Sequence, residues 1–198
     1  EREYLWDLEI AVQNISNENI SFGLPLVLGT LGPSSQRKPT EQFQDICISQ
    51  KLKVEYPNTK KEASFNDIEF VSLRDQYFVL IVQPEKSDYS ATISKYGTSQ
   101  TLLSIQSKEL VIAPGQEIRQ KFLIYLGPQD AKILGSISPD WNSVIFYGKF
   151  DFIAKLLAKT LDFFYGITKN WGWSIILFSL TIYLLLFPLS IKQMLSMK

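Results

Sequence analysis

The chain contains no histidine and only one cysteine, Cys47, in 198 residues. Without histidine there is no Ser-His-Asp or Cys-His catalysis, no histidine-ligated metal and no imidazole general base within these residues. One cysteine cannot close an internal disulfide. Cys47 lies in the alternating apolar run FQDICIS, where it reads as a small core residue; a reactive free thiol is the alternative. Charge of either sign is in balance, with 20 basic and 20 acidic side chains. The electrostatic case for nucleic acid, which needs a basic face, is therefore missing. No P-loop, GxGxxG or CxxC occurs, so no cofactor or metal is expected. Disorder is excluded as well, because aromatics make up 13% of the chain and charged residues only 20%.

The longest uncharged stretch runs from Asn170 to Ile191, 22 residues between Lys169 and Lys192. At about 1.5 Å per residue, a helix from Trp171 to Leu189 would reach roughly 28 Å, the thickness of a bilayer's hydrocarbon core. Trp171 and Trp173 stand at one end, where amphipathic rings favour the membrane–water interface. Lys192 and Lys198 flank the other, which the positive-inside rule assigns to the cytoplasm. This is the pattern of a transmembrane helix running inward. A helix buried in a large soluble core is the alternative, but little else in the chain is big enough to wrap it. The position excludes a secretory signal peptide.

Before this span the chain reads as strands. Trp6, Leu8, Ile10 and Val12 alternate with polar neighbours, the pattern of a half-buried strand. Ile20 to Leu31, interrupted by Gly23, Pro25 and Gly29, reads as one broken strand at an edge or bulge. Further strands follow over 43–49, 51–56, 65–73, 89–95, 101–107, 110–113 and 117–126. Gln76 to Gln83 is almost wholly apolar and fits a central strand buried on both faces. Short strands with turn signals every 8–12 residues or so indicate an antiparallel sandwich. Asn14-Ile15-Ser16 has the form of a glycosylation sequon.

Phe150 to Tyr165 changes period. Phe152, Ile153, Leu156, Leu157, Leu161, Phe164 and Ile167 recur at three- and four-residue steps, opposite a stripe of Asp151, Lys155, Lys159 and Asp162. This is an amphipathic helix. Directly before a membrane span it is expected to lie in the interface; packing on the sandwich is the alternative. Gly166 is expected to supply the turn between the two helices. The chain begins at Glu1 rather than Met and enters a strand almost at once, which reads as a piece of a longer protein. The expected organisation is a partial β-sandwich on the outer side of the membrane over 1–147, the interfacial helix and linker over 148–169, the span over 170–191 and the start of a cytoplasmic region over 192–198.

Four motifs carry a resemblance: Tyr125-Leu-Gly-Pro-Gln-Asp130, Tyr147-Gly-Lys-Phe-Asp-Phe-Ile-Ala154, Asn170-Trp-Gly-Trp-Ser-Ile-Ile176 and Phe187-Pro-Leu-Ser190. In this order and spacing the chain resembles the YidC membrane protein insertases of bacterial inner membranes, most strongly from Leu123 onward. The resemblance implies a mainly β, mutarotase-like super-sandwich on the periplasmic side of the inner membrane. It also implies an interfacial helix and the first of five core transmembrane helices. The partners implied are nascent membrane proteins, the lipid bilayer and components of the Sec translocon. Members of the family usually carry an arginine five residues before the proline, and here that position is Tyr183. A central arginine costs about 2.5–3.5 kcal/mol to insert and implies a hydrated groove. Tyr183 either lines such a groove through its hydroxyl or packs between helices.

Two other functions fit parts of the pattern. A carbohydrate epimerase on a mutarotase-like sandwich would use a histidine for proton transfer, which this chain lacks. A single-span anchored scaffold would dock partners through the sandwich.

Overall fold

A computed structural model describes residues 4–32, 44–51, 53–58, 61–97, 100–146 and 150–196. The chain divides into two compact units, Glu1–Ile145 and Phe146–Lys198.

The first unit is built from twelve strands among the described residues: β1 (Leu5–Gln13), β2 (Ile20–Phe22), β3 (Pro25–Leu31), β4 (Asp45–Gln50), β5 (Lys53–Glu55), β6 (Ala63–Phe65), β7 (Ile68–Arg74), β8 (Phe78–Pro84), β9 (Tyr89–Tyr96), β10 (Gln100–Ser107), β11 (Leu110–Ile112) and β12 (Glu117–Pro128). A short helix, α1 (Ala131–Ile137), and a 3-10 turn over Pro139–Val144 follow. The strands form a six-stranded sheet in the order β1-β12-β8-β7-β4-β5, a four-stranded sheet β3-β10-β9-β6, and the pair β11-β2. All neighbours are antiparallel, as the alternating apolar pattern anticipates.

The two larger sheets close on one core. Ile46, Ile48, Val71, Val82 and Phe122 from the six-stranded sheet meet Ala91, Ile93, Leu103 and Ile105 from the other. The far face of the six-stranded sheet is covered in turn. There Cys47, Phe70, Val79, Ile81 and Tyr125 pack with Leu134 of α1 and with Trp141 and Val144 of the 3-10 turn. β8 is therefore buried on both sides, Val79 and Ile81 toward the turn and Val82 toward the second sheet. That is why its sequence is apolar without alternation. Trp141 is wholly buried, and its indole N–H donates to Gln83 Oε1 at 3.0 Å. Cys47 is the buried core residue expected. Burial pushes its thiol up to about 12, against a weaker opposing pull from Ser72 and Arg74.

Several sequence expectations need correction. Ile20 to Leu31 is two strands in different sheets, because the chain crosses over at Gly23. A Cβ there would come within 2.6 Å of Gln106 Nε2 and 3.2 Å of the Ser107 carbonyl, so a side chain at this crossing would have to displace Gln106. β3 is the edge strand expected, and its register with β10 shifts between Leu103 and Ser104, a bulge. The segment 65–73 also divides between sheets, at Asp67, whose φ is +53°. β7 carries a further shift opposite Ser49 and Gln50, which lets Ile68 join Val71 in the inter-sheet core while Phe70 faces the other way. Trp6 shares the face of Leu8 and Ile10 but is 66% exposed, since the second sheet leaves that end uncovered.

The second unit holds α2 (Asp151–Thr168) and α3 (Trp171–Ser196). Gly166 is not the hinge, because α2 runs through it. The chain turns at Lys169, which takes the left-handed conformation (φ 51°, ψ 20°) and donates its N–H to the Tyr165 carbonyl. α3 continues past Pro188, which sits inside the helix.

Candidate membrane-contacting site

Local contacts hold the corner between α2 and α3. Asn170 caps α3, its side-chain oxygen accepting from the N–H of Gly172 at 2.9 Å and of Trp173 at 3.4 Å. The Thr168 and Ser174 hydroxyls lie 2.7 Å apart, and Ser174 is fully buried. One hydroxyl donates to the other, and the second donates to the backbone carbonyl beside it, Phe164 O being 3.0 Å from Thr168 Oγ1 and Asn170 O 2.7 Å from Ser174 Oγ. The Tyr165 ring stacks on Trp171 with centroids 4.1 Å apart and planes 17° apart. An aromatic pair of this kind adds about 0.5–1.5 kcal/mol beyond area burial. Polar groups satisfied inside the corner need no water, which suits a turn placed at a membrane surface.

On α2 the apolar face expected from the sequence splits in two. Leu161 and Phe164 are half-buried, while Phe152 (78%), Ile153 (50%), Leu156 (53%) and Leu157 (37%) are exposed. Phe163 and Ile167 join the exposed side at 62% and 64%. Phe163 was missed in the sequence, although it lies seven residues after Leu156 and four before Ile167. Phe152, Leu156, Phe163 and Ile167 thus form one uncovered ridge beside the Lys155–Lys159 stripe. Large exposed apolar patches of this kind mark interaction or membrane surfaces.

On α3 the stretch Trp171–Pro188 is long and apolar enough to cross a membrane. Its side chains are mostly exposed, as those of a helix bathed in lipid would be. Trp171 and Trp173 are 50% and 62% exposed at its start. The Thr181 hydroxyl donates to its own backbone at Leu177 O, 2.8 Å away. Tyr183 is 64% exposed, and its ring lies 6.1 Å from that of Phe187, one turn on. Lys192 stands on the last turns of α3, exposed. Lys198 and the Tyr147-Gly-Lys149 part of the second motif lie outside the described residues.

The sequon asparagine is locked inside a turn. Asn14 is 2% exposed, its amide donates to Glu18 O and Ile112 O, and its oxygen accepts from Ser16. Among the described residues no group of histidine, cysteine or carboxylate side chains is placed to hold a metal.

Residues 1–160 match the family model described as the YidC periplasmic domain. The membrane protein insertase YidC of Ruthia magnifica subsp. Calyptogena magnifica is 28% identical over 201 residues, covering 98% of this chain and 37% of the relative. The protein of the same name from Helicobacter pylori (strain ATCC 700392 / 26695) is 35% identical over 148 residues, covering 74% of this chain and 25% of the relative. The chain thus spans from a quarter to little more than a third of these relatives' length. Among solved structures, a putative aldose 1-epimerase from Escherichia coli K12 overlays with a TM-score of 0.45 at 9% identity, over 63% of this chain and 56% of that one.

Proposed function

Because the chain belongs to the YidC membrane protein insertase family, we propose that it is the periplasmic and first membrane-crossing portion of an insertase, a protein that moves hydrophobic segments from water into the bacterial inner membrane. The observation that carries this reading is the second unit. An amphipathic helix with an uncovered apolar ridge joins, through a locked corner, a helix long and apolar enough to span a bilayer.

The work needs no covalent step. α2 lies in the interface with Phe152, Leu156, Phe163 and Ile167 among the acyl chains and Lys155 and Lys159 toward the head groups. The corner fixes how α3 enters the bilayer. Tyr183 presents a hydroxyl at a depth where hydrogen-bonding partners are scarce, and an incoming polar segment gains from meeting it. A tyrosine does this without the insertion cost of a charge, so the path here relies on hydrogen bonding more than on electrostatics. The substrates are nascent membrane proteins, inserted by this protein alone or beside the Sec translocon, with a chaperone role in their folding.

Depletion of the full-length protein from its host tests the reading. Insertion of small single- and double-span membrane proteins should fall, as scored by protease accessibility of their translocated ends. Undiminished insertion would refute it.

A further inference from the structure

α3 carries little instruction of its own about which side faces what. From Trp171 to Phe187 its sequence is apolar all round, broken only by Gly172, Ser174, Ser179, Thr181 and Tyr183. Lipid alone does not choose among rotations of such a helix about its axis. Its burial is nevertheless one-sided. Ser174 is wholly buried, and Leu177, Phe178, Thr181 and Ile182 are half-buried. Those four follow Ser174 at steps of three, four, seven and eight residues, the spacing of a single helix face. Ile176, Leu180 and Tyr183 lie off that face and are exposed.

Two contacts turn the protected face toward α2. Trp171 stands three residues before Ser174, hence on the same side, and stacks on Tyr165. The Ser174 hydroxyl meets that of Thr168 at 2.7 Å. A hydroxyl has one proton to give and two lone pairs to receive with. Asn170 O beside Ser174 and Phe164 O beside Thr168 each offer a place for the proton left over. The pair is therefore complete in itself, whichever hydroxyl donates to the other. Tyr183 lies nine residues beyond Ser174, about two and a half turns of helix. With Ser174 turned to α2, Tyr183 points away from it.

We propose that Thr168 and Ser174 are positioning residues. Their hydroxyl pair sets the rotation of α3 about its own axis and so presents Tyr183 on the side opposite α2. The rotation stands apart from the insertase reading; only the assignment of an incoming segment to Tyr183 rests on it.

Site-specific photo-crosslinking in the full-length protein, reconstituted in liposomes, tests the proposal. A photoreactive phenylalanine analogue is placed either at Leu177, on the Ser174 side, or at Leu180, three residues before Tyr183 and on its side. Adducts within the protein read the rotation with no substrate present. The Leu177 probe should attach to α2 at least about fivefold more often than the Leu180 probe, the bias that one interhelical hydroxyl bond confers. A stalled single-span substrate should be caught with the opposite preference. Thr168→Val keeps the side-chain shape and removes the hydroxyl, and it should bring both preferences to within about twofold of parity. Thr168→Ser keeps the hydroxyl and should retain them, which separates loss of the bond from loss of the fold. Equal attachment of the two probes to α2 in the parent protein would overturn the proposal, as would a preference that Thr168→Val leaves intact. A Leu177 preference for α2 that Thr168→Val abolishes, with no substrate adduct from either position, would uphold the rotation and count against the insertase reading instead.

Discussion

Truncating the exposed ridge of α2 should weaken its hold on lipid by an amount that the structure sets. Phe152 and Phe163 are 78% and 62% exposed. A phenylalanine buries about 150–250 Å² when fully enclosed, so replacing each by alanine removes roughly 100 Å² of apolar surface available to the membrane. At about 25 cal/mol per Å² this is about 2.5 kcal/mol per ring, or about 5 kcal/mol for the pair under full immersion. An interfacial helix sinks only part-way, and half that value, about 2.5 kcal/mol, is a fair lower figure. A peptide of residues 150–170 titrated with phospholipid vesicles reads this through helicity in circular dichroism. The Phe152→Ala/Phe163→Ala peptide should partition at least about fiftyfold less strongly than the parent. A change below about threefold would refute the placement of this ridge in the membrane and favour a protein partner for it.

Other expectations follow from single sites. Gly166→Ala should stabilise α2 by about 0.5–1 kcal/mol, because a Cβ there meets nothing within 4 Å and the residue is helical; lost insertion activity in the full-length variant would show that the glycine's freedom is used after all. The Cys47 thiol, raised from an ordinary 9.0 to about 12, contributes stability that is whole below pH 9 and is lost as pH climbs from 9 through about 12. Iodoacetamide at pH 8 should therefore label it only after unfolding, and rapid labelling of the native protein would contradict its burial. Asp45→Ala should cost about 1–3 kcal/mol in denaturant unfolding, since it strands Arg74, whose side chain is only 10% exposed and bonds Asp45 at 2.8 Å. An unchanged midpoint would mean that the Val144 carbonyl, 3.2 Å from Arg74 Nη1, holds the guanidinium by itself.

Much of the fold was legible because burial writes itself in periods. The two-sided burial of β8 shows as an unbroken apolar run, and the edge position of β3 shows as Pro25 and Gly29. Crossings between sheets were harder to read. At Gly23 and at Asp67 the apolar pattern continues while the chain changes layers, and only close approach or a positive φ marks the break. Trp6 was misplaced because alternation tells which face a residue takes, not whether anything covers that face. At the membrane unit the helices and most of the ridge were visible as spacing. The corner was not, since it depends on a left-handed Lys169, a residue with no local preference for that conformation, and on the Thr168–Ser174 pair, whose partners stand on different helices. The membrane span was plain because it requires only length without charge.

The most direct measurement is made with purified full-length protein in liposomes and a short single-span substrate synthesised in their presence. Protease protection of the substrate's translocated end well above that in protein-free liposomes is the expected result. Equal protection with and without the protein would contradict an insertase, and would leave this chain as a membrane-anchored sandwich whose work is to dock other proteins.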